Sequence, residues 1–226
     1  MLCEAGERSL GMARISVAWL AILAMASLCL AETGFAQELQ GKGSIGASGG
    51  LMLLTADDDL SRDAQPRLLG HFDMKYVLNP QVAFHGTFGR GWNSYSGRSD
   101  TLTVIEPVTF GVEYRHAFEQ WPRYLPHAGI GMGVYSVWVR KGLQVTKDRE
   151  TGERLHTIDW GMNVTAGIEY FMTRSVTVNY DFVWHKIFSE NLNDFPSGFG
   201  NNDSYVQFVV GVNYYFSMDA LDVGGE

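Results

Sequence analysis

The sequence predicts an all-β chain: an eight-stranded antiparallel transmembrane β-barrel preceded by a cleavable signal peptide. Three observations predict it. Segments of roughly ten residues alternate apolar and polar about eight times along the chain. An apolar run laid out like a secretion signal opens the sequence. The linkers between segments alternate longer and shorter. A period of two sends successive side chains to opposite faces of a strand. A membrane barrel needs that alternation, with short periplasmic turns and longer outer loops.

Ile15 to Ala31 is the apolar run, and Arg14 precedes it. Gly34 and Ala36 put small residues at the −3 and −1 positions of a cleavage before Gln37. This divides the chain into a signal peptide, 1–36, and a barrel domain, 37–226. Glu4 and Glu7 offset Arg8, so a start at Met12 rather than Met1 gives the cleaner signal. A retained helical anchor is the alternative, and the run is slightly short for a bilayer span. Leu28 stands where a lipoprotein acylation site at Cys29 needs a small residue. Both cysteines, Cys3 and Cys29, lie in the leader, so the mature chain offers no disulfide, zinc site or catalytic thiol. That suits transit through an oxidising periplasm. The net charge of −8 argues against nucleic acid as a partner.

The strands follow in order. The first covers about 43–55, with Leu51 and Leu53 on one face, and Asp57, Asp58 and Asp59 open a polar loop to Gln65. The second covers about 67–78: Leu68, Phe72, Met74 and Tyr76 oppose His71, Asp73 and Lys75. Asn79-Pro80 turns the chain. The third, about 81–90, sets Val82, Phe84 and Phe88 against Ala83, His85 and Thr87; a Gly/Ser/Asn loop is expected from Trp92 to Thr101. The fourth, about 103–115, sets Val108, Phe110, Val112 and Tyr114 against Thr109, Gly111, Glu113 and Arg115, and Pro107 suggests a bulge. The fifth, about 126–139, sets Ala128, Ile130, Met132 and Val134 against His127, Gly129, Gly131 and Gly133. A charged loop follows, Lys141 to His156. The sixth, about 158–171, carries Asn163, Thr165 and Glu169 on its polar face. The seventh, about 176–187, carries Asn179, Asp181 and His185 on its own. After an Asn/Gly/Asp loop the eighth closes the chain, with Val206, Phe208, Val210, Val212, Tyr214 and Phe216 on one face.

Soluble sandwiches and lipocalins alternate too. Two features favour the membrane. Tyr76, Tyr114, Tyr170, Tyr214 and Phe216 fall at the periplasmic ends of apolar faces, and Phe88, Trp160 and Trp184 fall near the other ends. These are two aromatic girdles, one for each bilayer interface. The polar face carries Asp73, Lys75, Glu113, Arg115, Glu169 and Asp181, costly in an apolar core but natural in a polar lumen.

Gly211-Val212-Asn213-Tyr214-Tyr215-Phe216 resembles the C-terminal insertion signal of bacterial outer-membrane barrels. Leu125 to Gly133 resembles the Pro-x-x-Gly-x-Gly-x-Gly strand of small eight-stranded barrels of the OmpA, OmpX and OmpW type. Ala166 to Phe171, a turn, and Val176-Thr177-Val178 are similar to their next hairpin. The resemblance covers most of the mature chain. It implies an outer-membrane location reached through the periplasm, contact with outer-membrane lipid and lipopolysaccharide, insertion by the barrel-assembly machinery, and a monomer.

Four constellations are candidates for chemistry. The six lumen charges, with His85 and His127 nearby and His71 and His185 on the same face, form either a structural ion-pair plug or a gate over a narrow path. The glycine face Gly129, Gly131 and Gly133 lies inside a strand, so it makes room for large lumen side chains such as Tyr215 rather than binding a dinucleotide. His185 with Ser189 and Glu190 invites comparison with lipid A deacylases, which use His and Ser two apart on one face; the spacing here is four. Asp57 to Asp59 and Asn201 to Asp203 offer oxygens for calcium, or are solvated loop tips. No metal and no cofactor is expected.

The expected function is a non-enzymatic structural or surface-interaction role with a filled lumen. The alternative is an OmpW-like narrow channel for small hydrophobic molecules. Its lateral opening would lie at Pro107 or at Val134–Val139, where the alternation slips. An apolar upper lumen would favour that alternative. A lipid A-modifying hydrolase is the third reading.

Overall fold

The computed structural model describes residues 39–55, 64–96, 98–142, 144–145, 147, 152, 156–188 and 204–218. The expected signal peptide, both acidic loop tips and the Ser189–Glu190 pair lie outside the described residues.

Eight long strands carry the fold: β1 (Lys42–Leu54), β2 (Arg67–Asn79), β3 (Val82–Tyr95), β4 (Arg98–Arg115), β5 (Tyr124–Lys141), β6 (His156–Phe171), β7 (Val176–Phe188) and β8 (Ser204–Ser217). Each pairs antiparallel with its neighbours in sequence, and β1 pairs with β8, which closes the barrel. Two-residue strands at Ala64–Gln65 and Gln144–Val145 add short pairings to β3 and β5. Closure removes the sheet edges that a bilayer cannot satisfy.

The closure is staggered. Cross-strand partners lead from Leu54 through Tyr205, His185, Asn163, Gly131, Gly111, His85 and Lys75 to Ser44, ten residues from the start. Such a stagger tilts the strands by roughly 35–45°, and eight strands leave an interior just wide enough for side chains.

Short polar turns hold one end. Asn79 Oδ1 accepts from the backbone N–H groups of Gln81 and Val82, both at 2.9 Å, which ties β2 to β3. Thr173 Oγ1 accepts from Ser175 N at 3.2 Å and Val176 N at 3.0 Å, which ties β6 to β7. The outward face is apolar. Phe72, Phe110, Ile130, Met132, Phe208 and Val210 all stand exposed, and Met132 is 69% accessible. A continuous belt of this kind suits hydrocarbon, and a water-soluble monomer would not carry it.

Three local expectations need correction. Residues 92–101 are largely strand, because β3 runs to Tyr95 and β4 begins at Arg98, with Trp92 opposite Val104 and Ser94 opposite Leu102. Backbone rungs need no apolar side chains, so the polar composition misleads. Pro107 makes no bulge. Phe88–Val108 and Gly91–Ile105 keep one register on either side of it, and it faces Tyr135 on β5 without interruption. The rungs at Gly89 and Arg90 are missing, as expected beside a residue with no N–H. Val134–Val139 holds its parity too: Tyr135 and Val137 are buried inside while Val134 stands outside. The alternation fades there because the inward residues are themselves apolar.

Candidate functional site: the barrel lumen

The inward side chains form layers. At the turn end, Leu39, Val77, Ala83, Leu125, Phe171 and Tyr215 make an apolar floor. At the loop end, Met52, Leu54, Leu69, Ile105, Tyr135, Val137, Ile187, Tyr205 and Val209 make an apolar ceiling. The polar groups lie between.

The lowest polar layer is a four-charge network. Arg115 Nη2 lies 3.1 Å from Glu169 Oε2 and donates to Tyr215 Oη at 2.8 Å. Tyr215 Oη in turn donates toward Glu169, 2.9 Å from Oε2. Lys75 Nζ sits 3.1 Å from Glu113 Oε2 and 3.8 Å from Glu169 Oε2, and Arg115 Nε sits 3.5 Å from Glu113 Oε1. Asn213 Nδ2 donates to Glu169 Oε1 at 3.0 Å, and Thr177 donates to the same oxygen. Two cations face two carboxylates, so the layer is neutral. All four are buried, where an unpaired charge would cost several kcal/mol.

Asp73 and Asp181 leave this group for the layer above. Asp181 Oδ1 lies 2.7 Å from His127 Nε2, and Asn179 donates to its other oxygen. Asp73 Oδ2 accepts from Ser48 Oγ at 2.7 Å, with His85 Nε2 4.0 Å from Oδ1. His85 Nε2 is 3.1 Å from Thr87 Oγ1, and Thr109 Oγ1 donates to Thr87 Oγ1 at 3.2 Å. Higher still, His71 meets Gln207, while His185 Nδ1 lies 3.0 Å from Tyr135 Oη and its ring stacks on Tyr205. A cavity of about 40 Å³ remains among these groups, bordered by His71, Asp73, His85, Asp181, His185 and Gln207.

The six charges and four histidines therefore all face the lumen, but in separate layers. Sequence reasoning missed Thr177, Asn179, Asn213 and Gln207 as partners. Their inward parity was the available signal, because each alternates with an outward apolar residue. The glycine face also needs correction. An added Cβ would meet Val112 O at Gly129, Phe110 O and Asn163 at Gly131, and Val108 O and Thr109 at Gly133, so β5 yields to the neighbouring strands and not to Tyr215.

The aromatic residues expected to form the girdles lie on the outer face. Tyr76 and Tyr214 are exposed at the turn end, with Tyr114, Tyr170 and Phe216 half-buried among their neighbours. Tyr124 joins them, its ring 5.0 Å from that of Tyr170. Trp160 and Phe88 are exposed toward the loop end, and Trp184 is half-buried there.

Comparison with known proteins now bears on the fold. Residues 20–216 match the family described as the outer membrane protein beta-barrel domain. The chain belongs to that family. Among solved structures, this outer membrane barrel is similar to Neisserial surface protein A, with a TM-score of 0.60 at 13% identity over 78% of this chain and 100% of that one. Ail, the attachment invasion locus protein of Yersinia pestis, matches with a TM-score of 0.49 at 13% identity, over 78% of this chain and 99% of its own. OprG of Pseudomonas aeruginosa matches with a TM-score of 0.48 at 12% identity, over 78% and 97%. No curated protein matches the chain. Membership implies placement in the outer membrane, as the apolar belt and polar lumen of this barrel require on physical grounds.

Proposed function

We propose that this barrel is a non-enzymatic, monomeric outer-membrane protein with a filled lumen, whose role is structural or lies in surface interaction through its outer loops. One observation carries the reading: two apolar layers pack the barrel at both ends of a neutral charge network. The cavity among the polar groups, about 40 Å³, has room for about three or four waters at ~10–15 Å³ each, which supports a filled lumen. Its partners on this reading are outer-membrane lipid, lipopolysaccharide and, during export and insertion, the assembly machinery. A net charge of −8 leaves nucleic acid out.

Single-channel recording of the refolded chain in planar bilayers tests it. A silent membrane, with a gel band that migrates differently after heating, is the expected result. Discrete current steps would overturn it.

A narrow channel for small hydrophobic molecules is the second reading, and the apolar ceiling favours it. The ion-pair layer would then be the gate, so truncating Arg115 and Glu113 should raise the current. A lipid A-modifying hydrolase has less support. His185 is buried between Tyr135 and Tyr205, away from lipid. Identical lipid A acyl profiles with and without the protein are expected.

A further inference from the structure

The floor at the turn end joins residues held in two different ways. Val77, Ala83, Leu125, Phe171 and Tyr215 belong to strands, and the ladders fix them. Leu39 precedes β1, yet it is 1% exposed and packs in the same cluster. The chain reaches it through Gly41, whose φ is +76° and whose N–H donates to Val77 O at 2.8 Å. A Cβ at Gly41 would meet nothing within 4 Å, so glycine serves the left-handed backbone there and not a lack of space. Gln40, between the two, is exposed.

Tyr215 links this floor to the ion pairs above it, since its hydroxyl contacts both Arg115 and Glu169. Leu39 therefore completes the apolar layer that separates those charges from the turn-end mouth. Charge pairs interact more strongly where water is shut out. Lifting Leu39 breaks no rung, because β1 begins at Lys42, paired with Ser217, and Gly43 pairs with Tyr76. The segment is held by burial of a leucine and by the bond from Gly41. Burial of a leucine corresponds to a roughly 10- to 150-fold preference for the seated form. The withdrawn form is then a minor but populated state, far easier to reach than unfolding of the barrel.

We propose that Leu39 is a detachable stopper of the turn-end mouth, seated beneath the charge layer and released about Gly41 while every strand stays paired. Release admits water from that side to the Arg115–Tyr215–Glu169 group; seating shuts it out. With the short turns in the periplasm, the stopper answers to the periplasmic face. The inference goes beyond the filled-lumen reading and is independent of whether the lumen conducts.

Thiol labelling tests it. Cys3→Ser and Cys29→Ser in the full chain make each reporter cysteine the sole thiol. Outer-membrane fragments, open on both faces, are treated with a small methanethiosulfonate. Leu39→Cys should react about tenfold more slowly than Gln40→Cys, yet to completion with the barrel still folded. Val77→Cys, a floor residue inside the ladder, should stay unlabelled until the barrel unfolds. Gly41→Val, strained in the left-handed region, should speed labelling of Leu39→Cys about tenfold and leave Gln40→Cys unchanged. Thr177→Cys, whose native hydroxyl donates to Glu169 in the charge layer, should gain the same factor from Gly41→Val. Heat-modifiable migration verifies folding of each variant. In the unsubstituted barrel the Gly41 amide should exchange with deuterium about tenfold faster than the Arg115 amide, which donates to Gln81 O at the same end. Leu39→Cys as reactive as Gln40→Cys or as resistant as Val77→Cys, a Thr177→Cys rate unmoved by Gly41→Val, or equal exchange at Gly41 and Arg115 would each overturn the proposal. Current steps in a planar bilayer would overturn the filled-lumen reading and leave this one standing.

Discussion

Tyr215 Oη bridges the buried ion pair of β4 and β6, lying 2.8 Å from Arg115 Nη2 and 2.9 Å from Glu169 Oε2. The last strand thereby reaches across the lumen to two strands it does not pair with. Tyr215→Phe removes the bridge and keeps the ring in the floor. The expected loss is about 1–3 kcal/mol, the cost of leaving buried charged groups short of a partner. The urea midpoint of the refolded barrel in lipid vesicles reads it. An unchanged midpoint would mean that Arg115 and Glu169 hold each other unaided.

Arg115→Met leaves Glu113 and Glu169 facing Lys75 alone. The expected destabilisation is about 3–5 kcal/mol, as for one partner removed from a buried pair. Adding Glu169→Gln restores charge balance, so the double variant should be the more stable of the two. A double-mutant cycle on unfolding free energy measures the difference. A double variant no better than the single one would refute charge balance as the organising feature.

Gly167 faces the His127–Asp181 pair. A Cβ there would lie 2.0 Å from Asp181 Oδ1 and 2.7 Å from His127 Nε2. Gly167→Ala should therefore cost about 1–3 kcal/mol, the range for overpacking. Gly70→Ala, whose Cβ would meet only Ser48 O, at an ordinary 3.9 Å, should leave the unfolding midpoint where it is. Equal effects at the two sites would point to backbone entropy, not contact.

Ile130 lies on the belt between Val112 and Val164. Ile130→Arg should cost about 2–4 kcal/mol, and Ser136→Arg, six residues nearer the loop end, about 0–1 kcal/mol. Refolding equilibria in vesicles measure both. A flat profile would contradict this depth assignment.

Period two made the strands legible because a bilayer outside and a polar lumen inside make opposite demands on successive residues. The charges between the girdles could be read from Asp73 through Asp181 for the same reason. The reading failed where that contrast vanishes. Tyr135 and Val137 point inward yet are apolar, so the ceiling looked like a break in a strand. Above the bilayer, β3 and β4 continue into water, and their Gly/Ser/Asn composition looked like a loop. The layering of Asp73 and Asp181 apart from Glu113 and Glu169 depends on the ten-residue stagger, which no single strand encodes.

The seam between β1 and β8 also governs how the molecule is made. It pairs Lys42 with Ser217 and Leu54 with Tyr205, the first strand with the last. Until Ser204–Ser217 is available, β1 and β7 each present a bare row of N–H and C=O groups, and each unsatisfied group in hydrocarbon costs several kcal/mol. A nascent or truncated chain therefore has no stable resting place in the bilayer. Completion of the polypeptide becomes the checkpoint for insertion, enforced by the lipid itself.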